Sequence, residues 1–186
     1  WKLDETEGEI AYDSAAVNDA VVIGSPLWLP AGGMVDGAIL LDGVDDSVIA
    51  GPVLNPSDGP FSVFAWVQGG VPGQTVISQV DGADWLGTDP LDGALVTELE
   101  GPGRVGSPLQ SQTVITDGNW HRIGLVWDGL NRALYVDDVP VAQDTQAGLR
   151  GSAGGLNIGT GKAMAAGTFF SGLIDDVRIY NRAVSP

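Results

Sequence analysis

Residues 117–142 constrain this chain more than any other stretch. They read Asp-Gly-Asn-Trp-His-Arg-Ile-Gly-Leu-Val-Trp-Asp-Gly-Leu-Asn-Arg-Ala-Leu-Tyr-Val-Asp-Asp-Val-Pro-Val-Ala. Gly118 and Asn119 mark a turn, and Trp120 to Trp127 is β-branched and aromatic enough to be a strand. Alternation sets His121, Ile123, Leu125 and Trp127 on one face and Trp120, Arg122, Gly124 and Val126 on the other. Asp128-Gly129 breaks the run, Ala133 to Val136 resumes it, and Asp137-Asp138 sits where a two-residue hairpin turns. The stretch is therefore a meander of three antiparallel strands, which cannot bury its apolar face alone.

The rest of the chain repeats that grammar. Short apolar runs such as Gly37 to Leu41, Thr75 to Val80, Ala94 to Leu99 and Leu156 to Gly159 alternate with Gly-, Pro- and Asp-rich breaks, and helical periodicity is missing. Phe61 to Val67 is apolar at nearly every position, as in a strand buried on both faces or central in a sheet covered by loops. Gly101 to Pro108 reads as a Gly/Pro-rich loop. The expected class is all-β, a single sandwich domain over residues 1–186. A chain this long buries roughly 70% of its unfolded surface, so it needs neither disulfide nor metal merely to have a core. It opens at Trp1 without Met and already strand-like, so we expect a module of a larger protein with other domains in the parent chain.

The charge narrows the partners. With 24 acids against 8 bases the net charge is −16, a poor match for nucleic acid or anionic membrane, whose phosphates require clustered Lys and Arg. No apolar run approaches the roughly 20 residues of a spanning helix, so membrane insertion is not expected. The excess acid suits an extracellular or cell-surface setting and offers carboxylates to a hard cation.

Three quoted motifs carry a resemblance. Asn119-Trp120-His121-Arg122, Val126-Trp127-Asp128-Gly129 and Leu134-Tyr135-Val136-Asp137-Asp138-Val139 resemble the signature of laminin G-like domains of the concanavalin A-like lectin/glucanase group. Trp1-Lys2-Leu3-Asp4-Glu5, Asp13-Ser14, Asp42-Gly43-Val44-Asp45-Asp46 and the closing run Gly172 to Ala183 extend the likeness along the chain. One departure is Asp138, where the family usually has Gly; the turn needs positive φ there, so a strained or longer hairpin is expected. The implied fold is a jelly-roll sandwich of two antiparallel sheets.

The resemblance also implies sites. Alternation places Asp175 with Leu173, Val177 and Ile179 on a core-facing row, where a carboxylate is costly unless paired or bound to metal. In similar laminarinase-type glycosidases the matching Asp binds a structural calcium. Carried over, Asp175 is the ligand, with Asp4 or Glu5 and the Asp42-Gly43 turn as neighbours and Asp45 and Asp46 behind them. The Asp81 to Asp92 segment reads as a loop holding one aromatic among acceptors. A solvated turn with Trp85 tucked onto the sandwich is the favoured reading of this segment, and Trp85, Asp84 and Asp89 are still the best candidate glycan contacts in the chain.

Catalytic residues are not expected. Glu98 and Glu100 lack the Glu-x-Asp-x-x-Glu spacing of glucanases with this superfold. The single His121 sits inside the structural signature, and neither Gly151–Gly155 nor Gly159–Gly161 leads into the helix of a phosphate cradle. The expected function is a non-catalytic, calcium-containing binding or adhesion module with a glycan or cell-surface glycoconjugate as partner. A glycoside hydrolase or lyase of the same superfold and a structural spacer are the alternatives.

Overall fold

The computed structural model describes residues 1–101 and 108–186. Most of the expected 101–108 loop falls on 102–107, outside the described residues. In chain order the strands are β1 (Ile10–Ala11), β2 (Ala20–Ile23), β3 (Leu27–Leu29), β4 (Ala38–Asp42), β5 (Ser47–Ala50), β6 (Phe61–Gly69), β7 (Thr75–Gln79) and β8 (Asp84–Thr88). They continue with β9 (Ala94–Thr97), β10 (Leu109–Val114), β11 (Trp120–Trp127), β12 (Asn131–Val136), β13 (Val139–Thr145), β14 (Leu156–Ile158) and β15 (Ser171–Tyr180). Among the described residues there is no helix, so none is long and apolar enough to cross a membrane.

Two sheets pack face to face. One runs β1-β2-β5-β14-β7-β8-β9-β10 and the other β13-β12-β11-β6-β15-β4-β3, every neighbour antiparallel. The two inner faces fill the core: Phe61, Val63, Ala65 and Val67 from β6 and Ile123, Leu125 and Trp127 from β11 meet Ile77, Trp85 and Leu95 from the other sheet. The expected meander is β11, β12 and β13, in register from Ile123↔Val136 to Trp127↔Arg132. Its turn keeps two residues, with Asp137 at φ 53° and Asp138 at φ 66°, so the strained form of a type I′ hairpin is the outcome. His121 is clasped at the meander's end, Nδ1 2.9 Å from Asp137 and Nε2 3.2 Å from Asp117.

β6 is buried on both faces as expected, Ser62 and Phe64 included, with Trp66 alone half-buried between Phe61 and Val67. One sequence reading changes. In β15 a register shift between Asp175 and Arg178, with Asp176 at φ 49°, breaks the alternation. Ile174 and Val177 therefore both enter the core, Leu173 does not, and Asp175 turns to the opposite face.

Candidate functional site

Asp175 is fully buried all the same, because the loop between β3 and β4 and the first residues of the chain close over it. β4 pairs with β15 only as far as Ile39↔Ile174. Beyond it the N-terminal segment takes over: the Trp1 backbone nitrogen donates to the Val177 carbonyl (2.8 Å), and Asp176 donates to the Lys2 carbonyl (3.3 Å). Trp1 and Leu3 are both buried, but Leu3 sits at φ 61° and turns the chain away, so this segment is not a regular strand.

At that junction Asp175 Oδ2 accepts from Val35 N (2.8 Å), while Oδ1 has no hydrogen-bond donor among the described residues. Asp4 Oδ1 accepts from Gly37 N at 2.7 Å. Gly33 packs between Asp175 and the Gly37 carbonyl. A Cβ there would stand 2.7 Å from Asp175 Oδ2 and 2.0 Å from the Gly37 carbonyl oxygen. A Cβ on Gly37 would stand 3.2 Å from both Asp4 Oδ1 and the Leu3 carbonyl. Two carboxylates and the Leu3 and Gly37 carbonyls, all hard oxygen donors, thus gather around Gly33 and Gly37. Leu3, Asp36 and Asp176, three non-glycine residues with left-handed backbone, rim this pocket (φ 61°, 62° and 49°), which is strain that a bound ion can offset. Burial pushes the Asp175 carboxyl up to about 6.

The structure does not bring Gly43 and Asp45 to this pocket. Asp42 pairs with Ser171 and Gly43 packs on the same residue, four positions along β15 from Asp175, roughly 13 Å at 3.3 Å per residue. Asp45 is exposed there, and its carboxylate clusters with those of Asp42 and Asp46 within 4.8 Å. That cluster is a turn device: Asp42 Oδ1 accepts from Val44 N (2.8 Å) and Asp46 Oδ1 from Ser25 N (2.7 Å).

The expected glycan loop is also corrected. Residues 84–88 are β8, and Trp85 is 0% exposed, its ring 5.4 Å from that of Phe61. Strand alternation puts it in the core, where no sugar can stack on it. Asp89 is buried in the β8–β9 turn, where its Oδ1 accepts from Leu91 N (2.8 Å). Asp84 faces away from the core, with Oδ1 2.8 Å from Lys162 N; burial raises its carboxyl above the ordinary range. Lys162 Nζ is ion-paired with Glu98, so one residue meets Asp84 through its backbone and Glu98 through its ammonium.

The aromatic surface lies elsewhere, on the outward face of the β13-to-β3 sheet. Cross-strand register fixes its rows. One row is Arg178–Phe64–Gly124–Tyr135 and the next holds Trp66 and Arg122. Trp120 and Gln68 form a third, Tyr180, Ser62, Val126 and Ala133 a fourth. Trp66, Trp120, Tyr135 and Tyr180 are each half-buried, while Trp1, Trp28, Trp85 and Trp127 are all buried. Beside Tyr135 a shallow depression of about 580 Å³ is lined by Val126, Asp128, Asn131 and Gln143. The sequence signal for this face was the set opposite the core residues of β11, starting at Trp120, together with Phe64 and Trp66 on β6.

Gly124 is what lets the face lie flat. A Cβ there would fall 2.3 Å from Phe64 Cδ1, so the bare backbone is the seat of that ring. Gly124→Ala should lower the urea midpoint by an amount equivalent to about 1–3 kcal/mol, the usual cost of overpacking. Gly51→Ala, where nothing lies within 4 Å, is the matched control and should cost under about 0.5 kcal/mol. Equal midpoints for the two variants would refute the seating.

Similar structures share this architecture at low identity. The binding domain of Paraclostridial Mosquitocidal Protein 1 superposes with TM-score 0.73 at 15% identity, over 94% of this chain and 48% of that one. Domain 4 of AbnA, a GH43 extracellular arabinanase from Geobacillus stearothermophilus solved with arabinotriose, gives 0.60 at 19%, over 88% and 78%. A Trypanosoma rangeli sialidase gives 0.67 at 18%, over 97% of this chain but 30% of its own. The chain thus spans about half of the first of these proteins and under a third of the sialidase. No curated protein matches it in sequence. A laminin G family model described as concanavalin A-like lectin/glucanases superfamily matches residues 42–186, most of the chain, and the two-sheet sandwich is the fold that the model implies. The chain belongs to the laminin G-like branch of the concanavalin A-like lectin/glucanases superfamily.

Proposed function

We propose that this chain is a non-catalytic carbohydrate-binding module of an extracellular multidomain protein, taking its ligand on the outward face of the seven-stranded sheet. The observation that carries this is the segregation of aromatics: the two tryptophans that are not buried both lie on that face, with Tyr135 and Tyr180 beside them. Sugars present an apolar ring face to aromatics and hydroxyls to neighbouring acceptors, here Gln68, Asn131 and Gln143. Structural likeness to a domain named for binding and to one solved with arabinotriose supports the same reading.

The module also holds one structural calcium, with Asp175 Oδ1 and Asp4 as its carboxylate ligands and the Leu3 and Gly37 carbonyls beside them. The ion supplies the counter-charge that the orphaned Asp175 oxygen lacks, and it ties the last strand to the β3–β4 loop and the N-terminal segment.

A glycan array followed by titration tests the binding. Trp66→Ala and Tyr180→Ala should each weaken the selected glycan roughly tenfold, about 1.4 kcal/mol, with unchanged melting temperature. Affinity indifferent to both changes would move the site off this face. The hydrolase alternative rests on Asp84 and Glu98, and release of new reducing ends from the bound glycan, abolished by Glu98→Gln, would establish it instead.

A further inference from the structure

We propose that the ligand of this face is an anionic polysaccharide, carrying carboxylate or sulfate groups, held by Arg122, Arg178 and Arg182 around the Phe64–Tyr180 ring pair. This rests on the binding reading above and adds the ligand's charge. The chain has only 8 basic residues among 24 acids, and three of the 8 converge here. The Arg122 guanidinium stands 5.0 Å over the Phe64 ring, Phe64 meets Tyr180 edge-on at 6.4 Å, and Arg182 stands 5.6 Å over Tyr180. Arg178 lies directly across from Phe64 in the cross-strand register.

The three cations are available to different degrees. Arg182 is exposed and has no ion pair among the described residues. Arg122 is paired with the exposed Asp138 at 2.5 Å. Arg178 is held at both ends by Asp176, Nε to Oδ1 at 2.9 Å and Nη2 to Oδ2 at 2.7 Å. The pair with the exposed Asp138 contributes about 0–1 kcal/mol, so an incoming anion can share or displace it, whereas the two-point pair of Arg178 with the mostly buried Asp176 can be shared but not displaced. A guanidinium over a ring face still has N–H groups to offer, in the fork that matches a carboxylate or sulfate. The −16 net charge opposes a polyanion at long range, but at physiological ionic strength charges beyond about 8 Å are largely screened. The cations in contact then decide the preference.

The test uses matched pairs of probes: hexagalacturonate with its carboxyl-reduced form, and a sulfated galactan hexasaccharide with its desulfated form. The charged member of at least one pair should bind about tenfold more tightly, the size of one charge-assisted hydrogen bond. The pair that shows the preference identifies carboxylate or sulfate as the group recognised. Arg182→Gln, at an exposed position, should bring the charged probe toward its neutral counterpart without a change in melting temperature. Equal binding of charged and neutral probes, still weakened by Trp66→Ala, would overturn the charge assignment and leave the aromatic platform standing. Failure of every probe to bind would overturn both.

Discussion

In a chelating buffer at neutral pH, Asp175→Asn should melt above the unsubstituted chain, and excess calcium should reverse the order. The buried carboxylate is the cause. Burial lifts its pKa to about 6, whereas an unfolded aspartate titrates near 4, so between these values the folded chain holds a proton that the unfolded chain has lost. Without metal, the contribution of Asp175 is therefore fully present below about pH 4 and lost as pH rises through about 6, a loss of about 3 kcal/mol. Asn keeps the acceptor for Val35 N and carries no charge, so it escapes that loss. Calcium at a hundredfold excess over its Kd would restore about 2.7 kcal/mol to the unsubstituted chain, roughly 5–11 °C for a domain of this size. Asp175→Asn should show neither the pH slope nor the calcium response. Identical melting of the unsubstituted chain with calcium and with chelator would remove the metal from the account.

Trp85→Ala should be the most damaging single truncation, costing about 3–5 kcal/mol, or roughly 10 °C in melting temperature. The ring is fully buried against Phe61, and the surrounding sandwich cannot collapse onto so large a void. Trp85→Phe retains most of that volume and should keep both fold and ligand affinity. The two readings of residue 85 separate cleanly here. A glycan contact would give normal melting with lost affinity, and a core residue gives lost melting with affinity retained by whatever remains folded.

The meander was legible because turn chemistry and alternation agree across it: Asp128-Gly129 and Asp137-Asp138 fall where β11, β12 and β13 are joined. The acids around Trp85 look like a loop, but they lie at the short turns that join β8 to β7 and β9; the long-range fact is the opposite sheet, whose Phe61 buries the ring. Asp175 was singled out for the wrong geometric reason. The bulge at Asp176 turns it away from the core, and its burial comes from the β3–β4 loop and the N-terminal segment, which no local pattern announces. Gly43 and Asp45 join Asp175 only through the family resemblance; here β4 runs antiparallel to β15 and carries its turn to the far end. The aromatic face was visible as alternation in β11, yet it became a surface only once β6, β12 and β15 were set beside it.

The six tryptophan indoles give one direct reading of the central claim, because each Nε–H reports separately in a heteronuclear NMR spectrum. Hexagalacturonate is the first probe, followed by whichever oligosaccharide a glycan array selects. The account predicts that the Trp66 and Trp120 indole signals shift on titration while those of the buried Trp85 and Trp127 hold still. Saturable binding that leaves Trp66 and Trp120 unmoved, with shifts gathered instead around Asp84, Glu98 and Lys162, would contradict it.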